Sequence, residues 1–278
     1  MTTKQIYRLS TQKLKEAGIK SSEIDARLLI CHALNISPEK FIIDSEKEIS
    51  FVKIRKINNL IKKRALNIPV AYLTGEKEFF GLNFRVNKNV LIPRPETEWI
   101  VEKSIKSVKP KVDKIKVLDM GTGTGNIIIS LAINSDADFF ACDISADALA
   151  VAKQNAKRNN IEEKIKFYES DLFSNKKLKQ KFNLIIANLP YVPKKDKDKS
   201  VKFEPVNAIF ANDNGSEIIK RFLKQAPNYL QSNGTILIEL DPRNANELKS
   251  FAKKYFPDQK IGLEEDLAGF LRYLVVEN

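Results

Sequence analysis

The chain has 278 residues, 43% hydrophobic and 29% charged, with a formal net charge of +12. This length allows one large or two modest domains with buried cores. The first ten residues contain no apolar signal region, and no stretch approaches the roughly 18 apolar residues of a membrane helix. We therefore expect a cytoplasmic protein without a membrane partner.

The cysteines and the histidine limit the chemistry. Cys31 and Cys142 lie far apart and neither belongs to a CxxC pair, so we expect buried, small apolar side chains. His32 is the only histidine, which disfavours a catalytic histidine or a histidine-built metal site, since such sites need converging ligands. We predict no metal.

The positive charge is concentrated near the N-terminus. Residues 1–80 hold 15 Lys and Arg against 9 Asp and Glu. This excess favours an acidic or polyanionic partner, although a lysine-rich solvated surface explains it equally well.

The first part of the chain, residues 1–68, is predicted to form a small helical domain. Ser22 and Asp25 have the spacing of a capping box, and Ser37-Pro38 supplies an N-cap followed by proline at the first helical position. Ser50 is expected to open a further helix.

Residues 69–94 are predicted to form a β-hairpin linker, because apolar and polar residues alternate around Gly81-Leu82-Asn83. Residues 95–278 then begin with a helix near Pro95 and continue with alternating strands and helices. This order predicts an α/β domain with a mostly parallel sheet and helices on both faces. The strands are expected at Lys116–Asp119, Asp138–Asp143, Ile165–Glu169, Leu184–Asn188, Thr235–Glu239 and Leu271–Val276. The main helices are expected at Gly125–Ile133, Ala146–Arg158, Glu217–Leu230 and Asn244–Tyr255.

A glycine-rich turn follows the first of these strands. "VLDMGTGTGNIIISLA" places Gly121, Gly123 and Gly125 between a strand and a helix, where glycines permit a sharp turn and close approach of a ligand to backbone N–H groups. Asp143 ends the next strand, which suits a carboxylate that accepts hydrogen bonds from ribose hydroxyls. The spacing is GxGxG rather than the GxGxxG of nicotinamide enzymes, and Asp119 suits a cationic cofactor such as S-adenosylmethionine.

Asp171 and Leu172 follow the third strand, in "ESDLF". At the carboxyl end of a parallel sheet, Asp171 is placed to accept from an adenine amine and Leu172 to pack on the ring. The alternative for Asp171 is a structural cap of the following turn.

The central motif is "FNLIIANLPYVP", in which a buried strand ends at Asn188-Leu189-Pro190-Tyr191. The Asn188 carboxamide oxygen and the Leu189 carbonyl can accept the two N–H bonds of a planar NH₂ group, and Tyr191 can stack on it. Pro190 fixes the turn. The stretch predicts a clamp that positions an amide or exocyclic amine for methyl transfer without a side-chain base.

These motifs resemble those of the release factor glutamine methyltransferases, which methylate the glutamine of the Gly-Gly-Gln motif in class 1 peptide chain release factors. "PVAYLTGEKEFFGLNFRVNKNVLIPRPETE" (Pro69 to Glu98) is similar to the family's linker hairpin and the motif after it. "FEP" at Phe203–Pro205 and "DLAGFLR" at Asp266–Arg272 resemble later family motifs. The resemblance implies a helical substrate-recognition domain, the hairpin linker and a Rossmann-like, S-adenosylmethionine-dependent methyltransferase domain.

The resemblance also implies roles for residues. The cofactor would be contacted by Gly121, Thr122, Gly123, Thr124, Gly125, Asp143, Leu172 and Asn188, and the substrate glutamine by Asn188, Leu189, Pro190 and Tyr191. Arg94, Thr97 and Glu98 either border the pocket or connect the hairpin to the helix structurally. Leu189 stands where the family usually has proline, Leu172 where an aromatic residue is common, and "ELDPRN" from Glu239 replaces a glycine-containing turn.

Two other functions stay open at this point. An amino-methyltransferase acting on adenine or cytosine of nucleic acid fits the charge, but the helical domain lacks interleaved basic and aromatic residues, so we expect no stable nucleic-acid partner. A cofactor-binding module without turnover fits the departures from the family pattern. We expect a monomer that acts on a release factor. The lysine-rich run Lys194–Lys202 is either a lip that touches the protein substrate or a plain solvated loop.

Overall fold

The computed structural model describes residues 1–108, 115–196 and 201–278. They cluster into two compact units, the first built mainly from Met1–Glu76 and the second mainly from residues 77–278. The predicted domain limits at 68 and 94 stay predictions, and residues 197–200 of the lysine-rich run lie outside the described residues. Within the described ranges, no helix is long and apolar enough to cross a membrane.

The first unit is helical. Its helices are α1 (Thr3–Glu16), α2 (Ser22–Leu34), α3 (Pro38–Ile43), α4 (Phe51–Ala65) and α5 (Val70–Thr74). Their apolar faces meet in a core that contains Ile6, Leu14, Leu29 and Ile57. Burial of these side chains is what holds such short helices in place, since helices of this length are marginal alone.

Two of the predicted helix starts are found in this unit. Ser37 caps α3 by accepting from the Lys40 N–H, with Pro38 at the first helical position, and α4 follows Ser50. The predicted Ser22–Asp25 capping box is wrong, because Ser22 lies inside α2 and the Asp25 carboxylate accepts from Ser21 Oγ and Arg64 Nε instead.

The second unit begins with a hairpin and a helix. Strands β1 (Glu76–Phe79) and β2 (Leu82–Arg85) pair with each other, and α6 (Glu98–Ser107) follows a 3₁₀ turn at Pro95–Thr97. The buried rings of Phe79 and Phe84 pack edge to face at 6.1 Å. The alternation seen in the sequence therefore puts one face of the hairpin into the core of this unit.

The rest of the unit alternates strands and helices. The strands are β3 (Lys116–Met120), β4 (Asp138–Asp143), β5 (Ile165–Glu169), β6 (Phe182–Ala187), β7 (Val192–Pro193), β8 (Phe210–Ala211), β9 (Leu230–Glu239), β10 (Lys260–Glu265) and β11 (Leu271–Glu277). The helices are α7 (Asn126–Asn134), α8 (Ala146–Arg158), α9 (Val206–Ile209), α10 (Glu217–Gln225) and α11 (Ala245–Lys253).

In the described part of the chain, seven of these strands form one sheet in the order β10-β11-β9-β6-β3-β4-β5. The pairs β5–β4, β4–β3, β3–β6 and β6–β9 are parallel, whereas β11 runs against both neighbours. The chain moves outward from β3 to β5 and then returns to place β6 on the other side of β3. Ligands of such sheets bind at this switch point, beyond the carboxyl ends of the strands.

Both faces of the sheet are buried, which confirms the expected α/β architecture. Alternate residues of one strand face different cores: Leu118 packs with one cluster and Val117 with the other, and the same holds for Ile185 and Ile186. Strands covered on both faces read as continuous apolar runs, as these do.

Several elements differ from the prediction, among them the short α9, β7 and β8, which were not predicted. Strand β10 was not predicted, because "KIGLEE" is a polar edge strand with few buried positions. Helix α10 ends at Gln225 rather than Leu230, since Pro227 lies in a 3₁₀ turn after it. Strand β9 begins five residues earlier than the predicted Thr235.

Candidate functional site

A cavity of about 200 Å³ lies at the carboxyl ends of β3, β4, β5 and β6. Its wall also includes the segment before α6, with Arg94 and Thr97. The topology predicts a ligand site here, because the ends of parallel strands on both sides of the switch point meet at this edge.

The glycine-rich turn forms one wall of the cavity. Gly121, Gly123 and Gly125 have φ of +76°, +54° and +78°, values that residues other than glycine rarely adopt. A Cβ at residue 121 would lie 3.1 Å from Leu189 Cδ2, whereas one at residue 123 would meet nothing within 4 Å. Gly123 therefore leaves open space on the wall, as a closely approaching ligand requires.

Two acidic side chains support this turn. Asp143 Oδ2 accepts from Gly123 N at 2.9 Å and its Oδ1 accepts from Ser145 N at 2.9 Å. Asp119 is fully buried and accepts from Thr122 Oγ1 at 2.7 Å, but its Oδ1 has no hydrogen-bond partner among the described residues. Burial raises the pKa of Asp119 to about 7, with repulsion from Asp143 adding to the shift, and burial raises the pKa of Asp143 too.

The turn and its acids fit a cationic nucleoside cofactor. The open wall at Gly123 admits close approach, and the Asp143 carboxylate at the cavity favours a positively charged group there. Asp143 lines the cavity, as its predicted role with ribose hydroxyls requires.

Asp171 and Leu172 line another part of the cavity. Leu172 is buried and has φ of +49°, a strained conformation for a leucine that points to a local constraint. Asp171 Oδ2 accepts from Arg221 Nη2 at 2.8 Å, and both side chains are about half exposed. Arg221 itself lines the cavity and was not identified from the sequence.

The motif after β6 forms the opposite wall. Asn188, Leu189 and Pro190 line the cavity, and Leu189 is buried against Gly121. Asn188 Nδ2 donates to Glu239 Oε2 at 3.1 Å and to Thr97 Oγ1 at 3.2 Å. The structure thus brings the predicted Thr97 and Asn188 together.

Tyr191 is placed differently from the predicted stacking position. Its hydroxyl donates to Glu239 Oε1 at 2.8 Å, and the ring is not among the described residues that line the cavity. Burial, followed by the nearby Glu239 charge, raises the pKa of Tyr191 well above its usual value. The phenol therefore stays protonated and remains a donor to Glu239.

Arg94 and Glu98 differ in their contacts. Arg94 lines the cavity, and its Nη2 pairs with Glu204 Oε1 at 2.6 Å, while Glu204 Oε2 accepts from Ile92 N at 3.0 Å. Glu98 instead accepts from Phe80 N at 2.8 Å and so supports the hairpin turn. Of the two alternatives for Glu98, this contact favours the structural one, and the cavity lining does not include Glu98 in the described structure.

Two buried acids with contacts at the site were missed as functional candidates. Glu204 belongs to the quoted "FEP" motif but received no role, and Glu239 was noted only for the turn after it. Glu239 ends β9, a strand that is otherwise apolar near its carboxyl end. The rule that singled out Asp143, an acid at the carboxyl end of a buried strand, would also have found Glu239.

Comparisons with known proteins agree with this geometry. A family model described as a methyltransferase domain matches residues 111–264, and one described as the PrmC N-terminal domain matches residues 5–75. A release factor glutamine methyltransferase of Deinococcus radiodurans is 35% identical over 89% of this chain and 89% of its own length. One of Leptospira interrogans is 36% identical over 98% of this chain and 96% of its own.

Among solved structures, the T. thermophilus 16S rRNA N2 G1207 methyltransferase in complex with AdoMet and guanosine matches with a TM-score of 0.52. The two share 16% identity, over 73% of this chain and 49% of that one. At this identity the match supports the fold of the second unit and nothing more specific.

Proposed function

The chain belongs to the release factor glutamine methyltransferase family, and from this premise we propose its reaction in detail. It transfers a methyl group from S-adenosylmethionine to the side-chain amide nitrogen of the glutamine in the Gly-Gly-Gln motif of class 1 peptide chain release factors. The modification supports translation termination. The cytoplasm, where release factors act, is the proposed place of the reaction.

The cofactor would be held at the glycine-rich wall. The backbone from Gly121 to Gly125 would surround it, Asp143 would accept from the ribose hydroxyls, and Asp171 with Leu172 would contact the adenine. When bound, S-adenosylmethionine supplies an electrophilic methyl group on a sulfonium sulfur.

The substrate amide would be held at the opposite wall. An amide nitrogen is a poor nucleophile because its lone pair is delocalised over the carbonyl, so the protein must act by position and electrostatics. Asn188 Oδ1 and the Leu189 carbonyl accept the two N–H bonds and orient the nitrogen. The N-methylated nitrogen loses a proton to solvent without a side-chain base, because a positively charged amide nitrogen is a strong acid.

One observation carries the proposal: the glycine-rich turn and the Asn188-Leu189-Pro190 motif line the same cavity. A Cβ built on Gly121 would lie 3.7 Å from the Asn188 carbonyl oxygen, so the two walls approach each other closely. This proximity supports placement of a methyl donor beside a held amide.

The remaining parts of the proposal concern the protein partner. Residues 1–68 would grip the release factor and residues 69–94 would serve as the linker, with the enzyme acting as a monomer and without a stable nucleic-acid partner. Support comes from the compact helical core of the first unit and from the excess of positive charge in residues 1–80.

The test combines labelled S-adenosylmethionine with a class 1 release factor, with the same factor carrying alanine in place of the Gly-Gly-Gln glutamine, and with DNA. Peptide mass mapping should find one methyl group on that glutamine and none in the alanine control. Asn188→Ala should lower transfer about 100- to 1000-fold, the effect of removing one charge-stabilising group. Label on DNA would favour the nucleic-acid alternative, and cofactor binding without any transfer would favour a binding module.

A further inference from the structure

Glu239 is the least solvent-accessible charged group at the clamp, with 1% of its surface exposed. Three donors from different parts of the second unit converge on its carboxylate: Thr97 Oγ1 at 2.8 Å, Asn188 Nδ2 at 3.1 Å and Tyr191 OH at 2.8 Å. A buried carboxylate is tolerated when its oxygens are hydrogen-bonded in this way.

The strand register explains why Glu239 reaches Asn188. Ala187 of β6 pairs with Ile238 of β9, so the next residue of each parallel strand, Asn188 and Glu239, lies at the same level of the sheet. Both side chains therefore emerge at the same edge, although the residues are 51 positions apart in the chain.

The partners of the Asn188 side chain determine which end of its amide faces the cavity. An ionised Glu239 can only accept, so it must face the NH₂ end. Thr97 donates its one hydroxyl proton to Glu239, so its oxygen can only accept from Asn188. With two acceptors behind it, Asn188 satisfies both only by turning Nδ2 inward, which leaves Oδ1 for the cavity.

We propose that Glu239 is a positioning residue that fixes the polarity of the Asn188 amide, so that oxygen rather than NH₂ meets the substrate nitrogen. The proposal rests on the proposed function and deepens it. A flipped Asn188 would present N–H donors to the N–H donors of the substrate amide, and the clamp would then repel what it must hold. Tyr191 and Thr97 complete the arrangement by holding the Glu239 carboxylate in place.

The first experiment is Glu239→Gln, which keeps the shape of the side chain but adds an NH₂ group. Because that group can face Asn188, the amide loses its fixed orientation, and we expect kcat to fall about 100-fold, as when one charge-stabilising contact is removed. S-adenosylmethionine affinity should change by less than about threefold, since Glu239 does not line the cavity within the described residues. Glu162→Gln, at an exposed position, is the matched control and should behave as wild type.

The decisive experiment reverses the polarity of the whole network. In the double variant Asn188→Asp with Glu239→Gln, the new glutamine NH₂ donates to the new aspartate, whose second oxygen again offers an acceptor to the substrate. Thr97 can reverse its own hydrogen bonds to match. We expect the double variant to be about tenfold more active than Glu239→Gln alone, a coupling that independent structural damage does not produce.

A substrate-free measurement separates this proposal from the proposed function. In the NMR spectrum of the free enzyme, the Asn188 NH₂ signals, identified by their loss in Asn188→Asp, should exchange slowly with solvent. In Glu239→Gln they should exchange markedly faster. Slow exchange in that variant, wild-type transfer by Glu239→Gln, or additive losses in the double variant would each overturn the role of Glu239. Failure of wild type to methylate the release factor would instead overturn the proposed function.

Discussion

The two walls of the cavity are built in different ways. The glycine-rich wall comes from one continuous stretch, Asp119 to Asp143, and shapes the cavity mainly with backbone and glycines. The clamp wall joins side chains that are 51, 91 and 142 positions apart, through hydrogen bonds among Thr97, Asn188 and Glu239. The glycine-rich wall thus depends on local conformation, whereas the clamp wall depends on the tertiary fold. If the proposed roles hold, changes at one wall should leave the other working.

Gly215→Ala should give the largest difference between a loss of methyl transfer and a change in cofactor affinity. A Cβ at residue 215 would overlap the Tyr191 carbonyl oxygen, and the φ of +93° also disfavours alanine. The chain after Asn188 must shift, and a misplacement of about 1 Å can cost about 100-fold in rate. We expect methyl transfer to fall by that amount, while S-adenosylmethionine affinity, measured by calorimetry, changes less than about threefold.

Gly262→Ala is the matched control for this substitution, because a Cβ there meets nothing within 4 Å and the residue lies on β10. It should transfer methyl groups at the wild-type rate. Equal losses of transfer and cofactor affinity in Gly215→Ala would show that the two walls are not independent.

The corresponding change at the glycine-rich wall is Gly125→Ala. Its Cβ would lie 2.8 Å from Ile129 Cδ1 and 3.3 Å from Ala152 Cβ, at a φ of +78°. Overpacking and left-handed strain together should lower the free energy of unfolding by about 3 kcal/mol and weaken cofactor binding. Gly123→Ala, with strain but open space, should cost only about 1 kcal/mol.

Urea unfolding followed by fluorescence of Trp99 measures both variants in the second unit, where this ring stacks on Tyr273 at 4.0 Å. If Gly123→Ala proved as destabilising as Gly125→Ala, backbone strain alone would explain both losses. Close contact with α7 and α8 would then not be the reason for glycine at residue 125.

The difference between the walls also explains which parts of the site were predictable. Asp143 and the glycines follow from a motif whose residues are close in sequence, and strands β4 and β5 were predicted with their observed ends. Asn188 and Tyr191 were identified as a motif, but the Tyr191 contact was not, because it requires knowing that β9 lies beside β6.

Glu204 illustrates the same limit. Its carboxylate binds Arg94 and the Ile92 N–H, residues 110 and 112 positions earlier in the chain. Its sequence neighbours, Phe203 and Pro205, carry no signal for these contacts. Register and long-range pairing are tertiary properties, whereas a single sequence shows local patterns only.

The buried carboxylates at the two walls also differ in their hydrogen bonds. Glu239 accepts from three donors, whereas Asp119 keeps one oxygen without a partner in the described structure. The pKa of Asp119 is raised from 3.8 to about 7, so the folded chain binds more protons than the unfolded chain between these values. Its contribution to stability is therefore most favourable below about pH 4, falls as the pH rises, and stays low above about pH 7.

Asp119→Asn should remove this part of the pH dependence, since asparagine keeps an acceptor for Thr122 Oγ1 without the buried charge. At about 1.4 kcal/mol per pH unit from pH 5 up to the pKa of about 7, the variant should gain about 3 kcal/mol relative to wild type between pH 5 and pH 8. Glu239, whose pKa burial also raises, gives a slope of the same sign in both proteins and cancels in the difference. A wild-type-minus-variant difference that stays constant from pH 5 to pH 8, measured by urea unfolding, would mean that Asp119 is already ionised in the folded protein at pH 5.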